Sequence, residues 1–187
     1  MANDRQHVTL WDKTFEVFIP HEEISAAIIR LAERLNVDYG HGDKGIPVFI
    51  SVLNGSFMFL AELMQHISFP CETSFVKLSS YSGTTSTGKV SEIIGLKEDI
   101  RNRHVIIVED IVETGQSIAH MTEILHLHQP ASIEIATLLI KPACYGGQVP
   151  IKYPVFEIEN DFTVGFGMDY DGLGRNLPDI YKLSNEQ

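Results

Sequence analysis

The sequence predicts an α/β domain in which helices flank a central parallel sheet, with a small C-terminal hood lobe. Three observations lead there. Almost wholly apolar runs, IPVFISVL at 46–53 and HVIIV from His104, have the pattern of strands buried on both faces. Other segments place apolar residues at helical spacing. The two kinds alternate along the chain, as a parallel sheet with crossover helices requires. At 187 residues, one domain is expected rather than two, since domains cluster at roughly 100–150 residues. Its core sheet should occupy approximately 36–150, with the hood formed by both termini.

Each element follows from local pattern. After an extended opening, Ile24, Ala27, Ile28, Leu31, Ala32 and Leu35 recur at helical spacing, predicting an amphipathic helix over His21 to Asn36. The turn-rich DYGHGDKG at 38–45 ends it, Ile46 to Leu53 is the first buried strand, and Gly55 opens a second helix. Phe75 to Leu78 and Val90 to Leu96 read as strands around YSGTTSTGK, a polar stretch too long for a tight turn and expected to be a mobile loop. His104 to Asp110 is the next buried strand, Ile118 to Leu127 a helix, and Ser132 to Ile140 another strand. From Pro154 onward short strands and glycines predominate, which predicts a C-terminal lobe over the sheet.

Composition narrows the function. Hydrophobic residues make 44% and charged residues 21%, ordinary globular usage that argues against disorder or a fibrous repeat. A net charge of -11 argues against a nucleic-acid partner, because nonspecific affinity for phosphate backbones comes from Lys and Arg. No apolar run approaches the roughly 18 residues that span a bilayer, and the opening MANDRQHVTLWDK has no hydrophobic signal core. Cys71 and Cys144 form neither a CxxC nor a disulfide framework, which suits a reducing compartment. A cytoplasmic protein with a small substrate and no membrane partner is expected.

The strongest chemical signal is VIIVEDIVETGQS, Val105 to Ser117. In open α/β sheets ligands bind beyond the carboxyl ends of the strands, and Glu109 and Asp110 sit at that end of an apolar strand. Thr114, Gly115, Gln116 and Ser117 then enter a helix, where free N–H groups, hydroxyls and the positive dipole end make an anion pocket. Acids beside such a pocket would repel a bare polyanion. They suit a sugar phosphate whose hydroxyls form hydrogen bonds and whose charge a divalent metal shares, which points to ribose 5-phosphate. Without the full thirteen-residue run, a turn that merely caps its helix would explain the acid pair equally well.

This segment resembles the phosphoribosyl pyrophosphate motif of the type I phosphoribosyltransferases, and residues 46–178 are similar to their 6-oxopurine branch. The resemblance implies transfer of phosphoribosyl from phosphoribosyl pyrophosphate to hypoxanthine or guanine, with Mg²⁺, for which Mn²⁺ can substitute, and a homodimer or homotetramer. It implies that Glu109 and Asp110 face the ribose hydroxyls and the metal shell, while Thr114, Gly115, Gln116 and Ser117 hold the 5-phosphate. Leu53, Asn54, Gly55 and Ser56 resemble the loop that contacts pyrophosphate, often through a non-proline cis peptide. Ser80 and Tyr81 resemble the base of a closing loop. Lys141 resembles the donor to purine O6, Phe162 the aromatic that stacks on the base, and Thr163 a main-chain contact to it. Asp169 resembles an acid near a second magnesium, and Arg175 the arginine that reaches pyrophosphate.

Two positions depart from the pattern. Glu113 stands where the family usually has Asp, the proposed general base for the purine N7 proton, and Asn54 where Lys or Arg is frequent. Read without the family, Phe162 would be core and Lys141 a solvated strand-end charge. No GxGxxG, Walker A lysine or Ser-His-Asp order is present. The competing class is a regulator that keeps the sugar-phosphate fold and binds nucleic acid; the acidic balance disfavours it.

Overall fold

Alternation along the buried strands determines which helix covers which face of the sheet. The computed structural model describes residues 6–80 and 90–184. In chain order it contains β1 (His7–Leu10), β2 (Lys13–Ile19), α1 (His21–Tyr39), β3 (Val48–Val52), α2 (Phe57–Met64), β4 (Glu72–Ser80) and β5 (Val90–Ile94). There follow β6 (His104–Val112), α3 (Gln116–His126), β7 (Ser132–Ile140), β8 (Tyr153–Glu157), β9 (Thr163–Val164) and β10 (Ile180–Leu183). A six-stranded sheet has the order β5-β4-β3-β6-β7-β8. Its strands β4, β3, β6, β7 and β8 are parallel, and β5 is antiparallel at the edge.

Successive strand residues point to opposite faces. Phe49, Ile106, Val108 and Leu138 therefore meet α1 and α2, joining Ile24, Ile28, Leu35, Phe59 and Leu63 in one core. Val48, Ile50, Val105 and Ile107 face the other way and pack with Ile118, Met121 and Leu125 of α3. Truncating one such fully buried side chain, as in Leu35→Ala, costs about 2–5 kcal/mol. α1 starts after Pro20, whose φ of -70° already suits a helix, and carries Glu22 and Glu23 at its positive end. It runs past the expected Asn36 because Tyr39, only 2% exposed, extends the buried stripe by another turn.

The second sheet, β1-β2-β10-β9, is built from both ends of the chain around Leu10, Phe15, Val164 and Tyr181. One expectation needs correction. Tyr153–Glu157 does not belong to a C-terminal lobe but pairs in parallel with β7 as the last strand of the large sheet, which thus continues past residue 150. Pro154 is tolerated because the strand lies at an edge, where a missing N–H breaks no ladder. Of the expected loop, Tyr81 to Lys89 lie outside the described residues.

Candidate active site

The phosphate-type pocket grows from the junction of β6 and α3. Gly115 takes φ +78° there, and a Cβ at that position would strike the Tyr145 ring, so the turn demands glycine twice over. Its carbonyl accepts the first helical bond, from Ala119 N–H at 2.9 Å. The N-cap residue of α3, Gly115, offers no side-chain cap, and Gln116 N–H makes only a long contact to Thr114 Oγ1, at 3.5 Å. The remaining first-turn N–H groups and the positive dipole end face a pocket of about 210 Å³ lined by Glu109, Ile111 to Gly115, Ser117 and Ile118, a setting that suits an anion. Thr114, Gln116 and Ser117 are exposed there.

The acid pair stands at the end of the same strand. Asp110 Oδ1 accepts the Ile111 N–H at 3.0 Å, and its carboxylate fills the space that a Cβ on Gly55 would need. Burial pushes Asp110 above the ordinary carboxylate range, opposed by main-chain N–H groups and by Arg175. Glu109 is raised further, by burial first and then by the charge of Asp110. Its Oε2 is sealed from solvent without a hydrogen-bond partner among the described residues, although the side chain as a whole is only partly buried. Two acids in this state are poised for hydroxyl donors or a cation.

A second pocket, of about 250 Å³, adjoins the first and is lined by Asp110, Ile111, Glu113, Phe162, Thr163, Met168 and Asp169. Ile111 and Glu113 belong to both walls. Lys141, at the end of β7, donates its main-chain N–H to Val112 O at 3.0 Å, which holds it beside β6. Its ammonium is ion-paired with Glu113, and the pair is asymmetric: the lysine side chain is 4% exposed, the glutamate 53%. Lys141 is therefore no solvated strand-end charge. Phe162 is 43% exposed rather than core, and Thr163 is buried in β9, pairing with Lys182.

Asp169 and Arg175 form an ion pair at 2.5 Å. Asp169 also accepts the Gly172 N–H at 2.7 Å, and Arg175 donates to Gly167 O at 2.7 Å. The Leu53–Asn54 peptide is cis. The turn behind it is braced by two hydroxyls, Ser56 of the expected loop and Ser51, which lay outside it: they bond to each other at 2.6 Å, and Ser56 donates to Val52 O at 2.5 Å. Ser51 could have been noticed as the single polar residue inside IPVFISVL. Gly167 closes the site from the hood, since a Cβ there would meet Gly55 O. Ser80 ends β4, where it pairs with Val90, and Tyr81 lies outside the described residues.

Among the described residues no three His, Cys, Asp or Glu side chains gather closely enough to hold a metal ion. Asp110 and Asp169, which line one pocket, nonetheless supply the one or two carboxylates that a magnesium-type ion takes, the rest of its shell being water and substrate phosphate, and the orphaned oxygen of Glu109 is free to accept from a donor in that shell. A larger cavity of about 580 Å³, lined by Gln6, His7, Glu16, Val17, Pro20, His21, Glu22 and Asp179, contains none of these residues. The acids and the helix terminus line the smaller pair, and the buried lysine meets it through Glu113.

The profile of the phosphoribosyl transferase domain matches residues 19–171. The chain is 38% identical over 172 residues to the hypoxanthine-guanine phosphoribosyltransferase of Streptococcus pneumoniae, covering 91% of this chain and 94% of that one. It is 40% identical over 171 residues to the hypoxanthine phosphoribosyltransferase of Salmonella typhimurium, covering 91% and 96%. The crystal structure of a Staphylococcus aureus hypoxanthine phosphoribosyltransferase superposes with a TM-score of 0.81 at 40% identity, over 90% of this chain and 91% of that chain.

Proposed function

Since the chain belongs to the phosphoribosyltransferase family, in the branch of the hypoxanthine-guanine enzymes, we propose that it salvages purines by transferring the 5-phosphoribosyl group of phosphoribosyl pyrophosphate to N9 of hypoxanthine or guanine. The products are IMP or GMP and pyrophosphate. The observation that carries the reading is the pair of adjoining pockets sharing Ile111 and Glu113, one at a helix N-terminus and one against an exposed aromatic ring.

In this reading Thr114 to Ser117 hold the 5-phosphate, and Glu109 and Asp110 accept hydrogen bonds from the ribose hydroxyls. The base stacks on Phe162 and is met by the main chain of Thr163. A 6-oxopurine with its proton on N7 presents an acceptor, O6, beside a donor, N7–H. That edge complements an ammonium beside a carboxylate, so the base replaces the Lys141–Glu113 contact with one bond to each group. A 6-aminopurine would set an N–H₂ donor against the ammonium and is rejected. As the C1′–oxygen bond breaks, its electron pair leaves with pyrophosphate; N9 supplies the pair for the new bond, and the N7 proton passes to Glu113. Arg175 turns from Asp169 toward the leaving group, and Leu53 to Gly55 meet it through the main chain.

Mg²⁺, or Mn²⁺ in its place, would neutralise charge on pyrophosphate when bound, with Glu109 and Asp110 facing the shell of one ion and Asp169 near a second. A nucleic-acid-binding regulator is not supported: the chain carries a net charge of -11, and the relatives it matches are named as transferases. We take the protein to be cytoplasmic and a homodimer or homotetramer; no helix among the described residues is long and apolar enough to cross a membrane. The deciding experiment is a spectrophotometric panel of purine and pyrimidine bases with phosphoribosyl pyrophosphate and Mg²⁺. Turnover of hypoxanthine or guanine, with none of adenine or uracil, is expected; a different base preference would overturn the assignment.

A further inference from the structure

We propose that the tip of the N-terminal hairpin, Trp11 to Lys13, positions the base-stacking segment 162–171 and thereby sets affinity for the 6-oxopurine. The inference rests on the reading above. The family match begins at residue 19, so the tip lies before it, yet its contacts converge on the far end of the matched region. Tyr170 O–H donates to Asp12 Oδ1 at 2.8 Å. Trp11 Nε1–H donates to the carbonyl of Asp171 at 3.3 Å. The Lys13 ammonium lies 4.6 Å from the Tyr170 ring centre and 5.5 Å from that of Phe162. Phe15, fully buried in β2, packs against both rings at 5.9 and 6.2 Å, and Phe162 meets Tyr170 edge-on at 5.8 Å.

These contacts form a chain of support for one ring. Phe162 is 43% exposed, so the part of it facing solvent cannot fix its plane. Its orientation is set from behind, by Phe15 and by Tyr170. Tyr170 is in turn held through its hydroxyl by Asp12 and over its face by Lys13. Asp12 and Tyr170 perturb each other accordingly: the tyrosine hydrogen bond lowers the acid, and the acid raises the phenol. Stacking rewards a ring already in place, because a mobile one must be ordered when the base arrives. Thr163 and Asp169 lie in the same segment, but Thr163 is separately anchored by β10 and Asp169 by Arg175. Loosening the tip should therefore reach Phe162 first and leave the sugar-phosphate side alone.

The test compares Tyr170→Phe, which keeps the ring and removes the tether, with Asp12→Ala and the double variant, measuring steady-state kinetics with hypoxanthine and phosphoribosyl pyrophosphate separately. Each single change should raise KM for hypoxanthine about three- to tenfold, the scale of one hydrogen bond. The double variant should be no worse than either single one, because both remove the same bond. Asp12→Asn, which retains an acceptor, should restore most of the affinity, while kcat and KM for phosphoribosyl pyrophosphate stay within about twofold of wild type. An active wild type with unchanged hypoxanthine KM in both single variants would overturn the positioning role alone. So would parallel losses in both substrates. A wild type inactive on every 6-oxopurine would overturn the assigned reaction and this inference with it.

Discussion

Cutting the Lys141–Glu113 pair from its two ends should have unequal consequences for stability, because its partners differ so much in exposure, 4% against 53%. Glu113→Ala strands a buried ammonium. Breaking a fully buried pair costs about 3–5 kcal/mol; with one partner half in water the charge can be partly rehydrated, and about 1–2 kcal/mol is expected. For a domain of this size that lowers Tm by about 2–8 °C. Lys141→Met leaves only a carboxylate already reached by solvent and should change stability by no more than about 0.5 kcal/mol. Activity separates the same residues in another way. Glu113→Gln keeps an acceptor for the lysine but loses the base, so kcat should fall by about 10²–10⁴ with KM for phosphoribosyl pyrophosphate nearly intact. Lys141→Met should instead weaken use of hypoxanthine and guanine. Thermal melts and two-substrate kinetics on the three variants decide. Equal Tm losses at both ends would refute the asymmetry, and wild-type turnover by Glu113→Gln would reduce Glu113 to an acid near a helix start.

Other perturbations test the remaining parts. Excess EDTA should abolish turnover and added Mg²⁺ or Mn²⁺ restore it; full activity with chelator would reject the metal requirement. Asp110→Asn should raise KM for phosphoribosyl pyrophosphate and shift the magnesium titration upward, since an amide organises hydroxyls and metal-bound water less well than a carboxylate; an unmoved titration would contradict that role. Gly55→Ala places a methyl where the Asp110 carboxylate now sits, and should raise the same KM by about tenfold or more, as misplaced groups in an active site commonly do. Wild-type kinetics in that variant would show that the carboxylate can move without penalty. For Glu109 the sign follows from its raised pKa. Between the ordinary 4.5 and the folded value the native state binds the proton more tightly than the unfolded chain, so stability falls as pH rises through that window. Glu109→Gln should flatten that fall, giving a higher Tm than wild type at pH 8 and a similar one near pH 4. A parallel pair of Tm–pH curves would remove Glu109 as the cause.

The elements that were legible carry their own punctuation. Ser132–Ile140 is an apolar run between polar turns, and its bounds emerge as expected. The end of α1 was hidden because Tyr39 lies beyond a polar stretch and only tertiary packing shows that it is buried. The short strands expected from Pro154 onward were assigned to the lobe, and the place of β8 at the edge of the large sheet, which makes Pro154 harmless, is a property of the assembled sheet. The hairpin at residues 7–19 read only as extended chain, since β2 finds its second neighbour in β10, at the opposite end of the sequence. In the site, the acid pair and the glycine turn were visible because they interrupt an apolar strand. The Lys141–Glu113 contact was not, for it depends on β7 lying beside β6 with Lys141 N–H bonded to Val112 O. Likewise Phe162 looked like core until the hood placed one side of it against Phe15 and left the other open.

The shared wall between the two pockets limits where chemistry can happen. In the proposed reading, a phosphate at the start of α3 and a base against Phe162 are separated by the end of β6 and the turn after it, Ile111 to Glu113, so the ribose joining them crosses that wall. Glu109 and Asp110 come immediately before it on the same strand, where hydroxyls of the crossing sugar would meet them. The proton leaving the base must go to a group that faces the base pocket yet is not committed to the sugar. On the proposed reading Glu113 is that group, and it is already in contact with Lys141, which is buried behind it. An acid and an ammonium that neutralise each other before the base arrives avoid leaving either charge unpaired in the pocket. The same pair offers a donor and an acceptor that match the O6 and N7 edge of a 6-oxopurine, so on that reading charge pairing and base selection are consequences of a single contact.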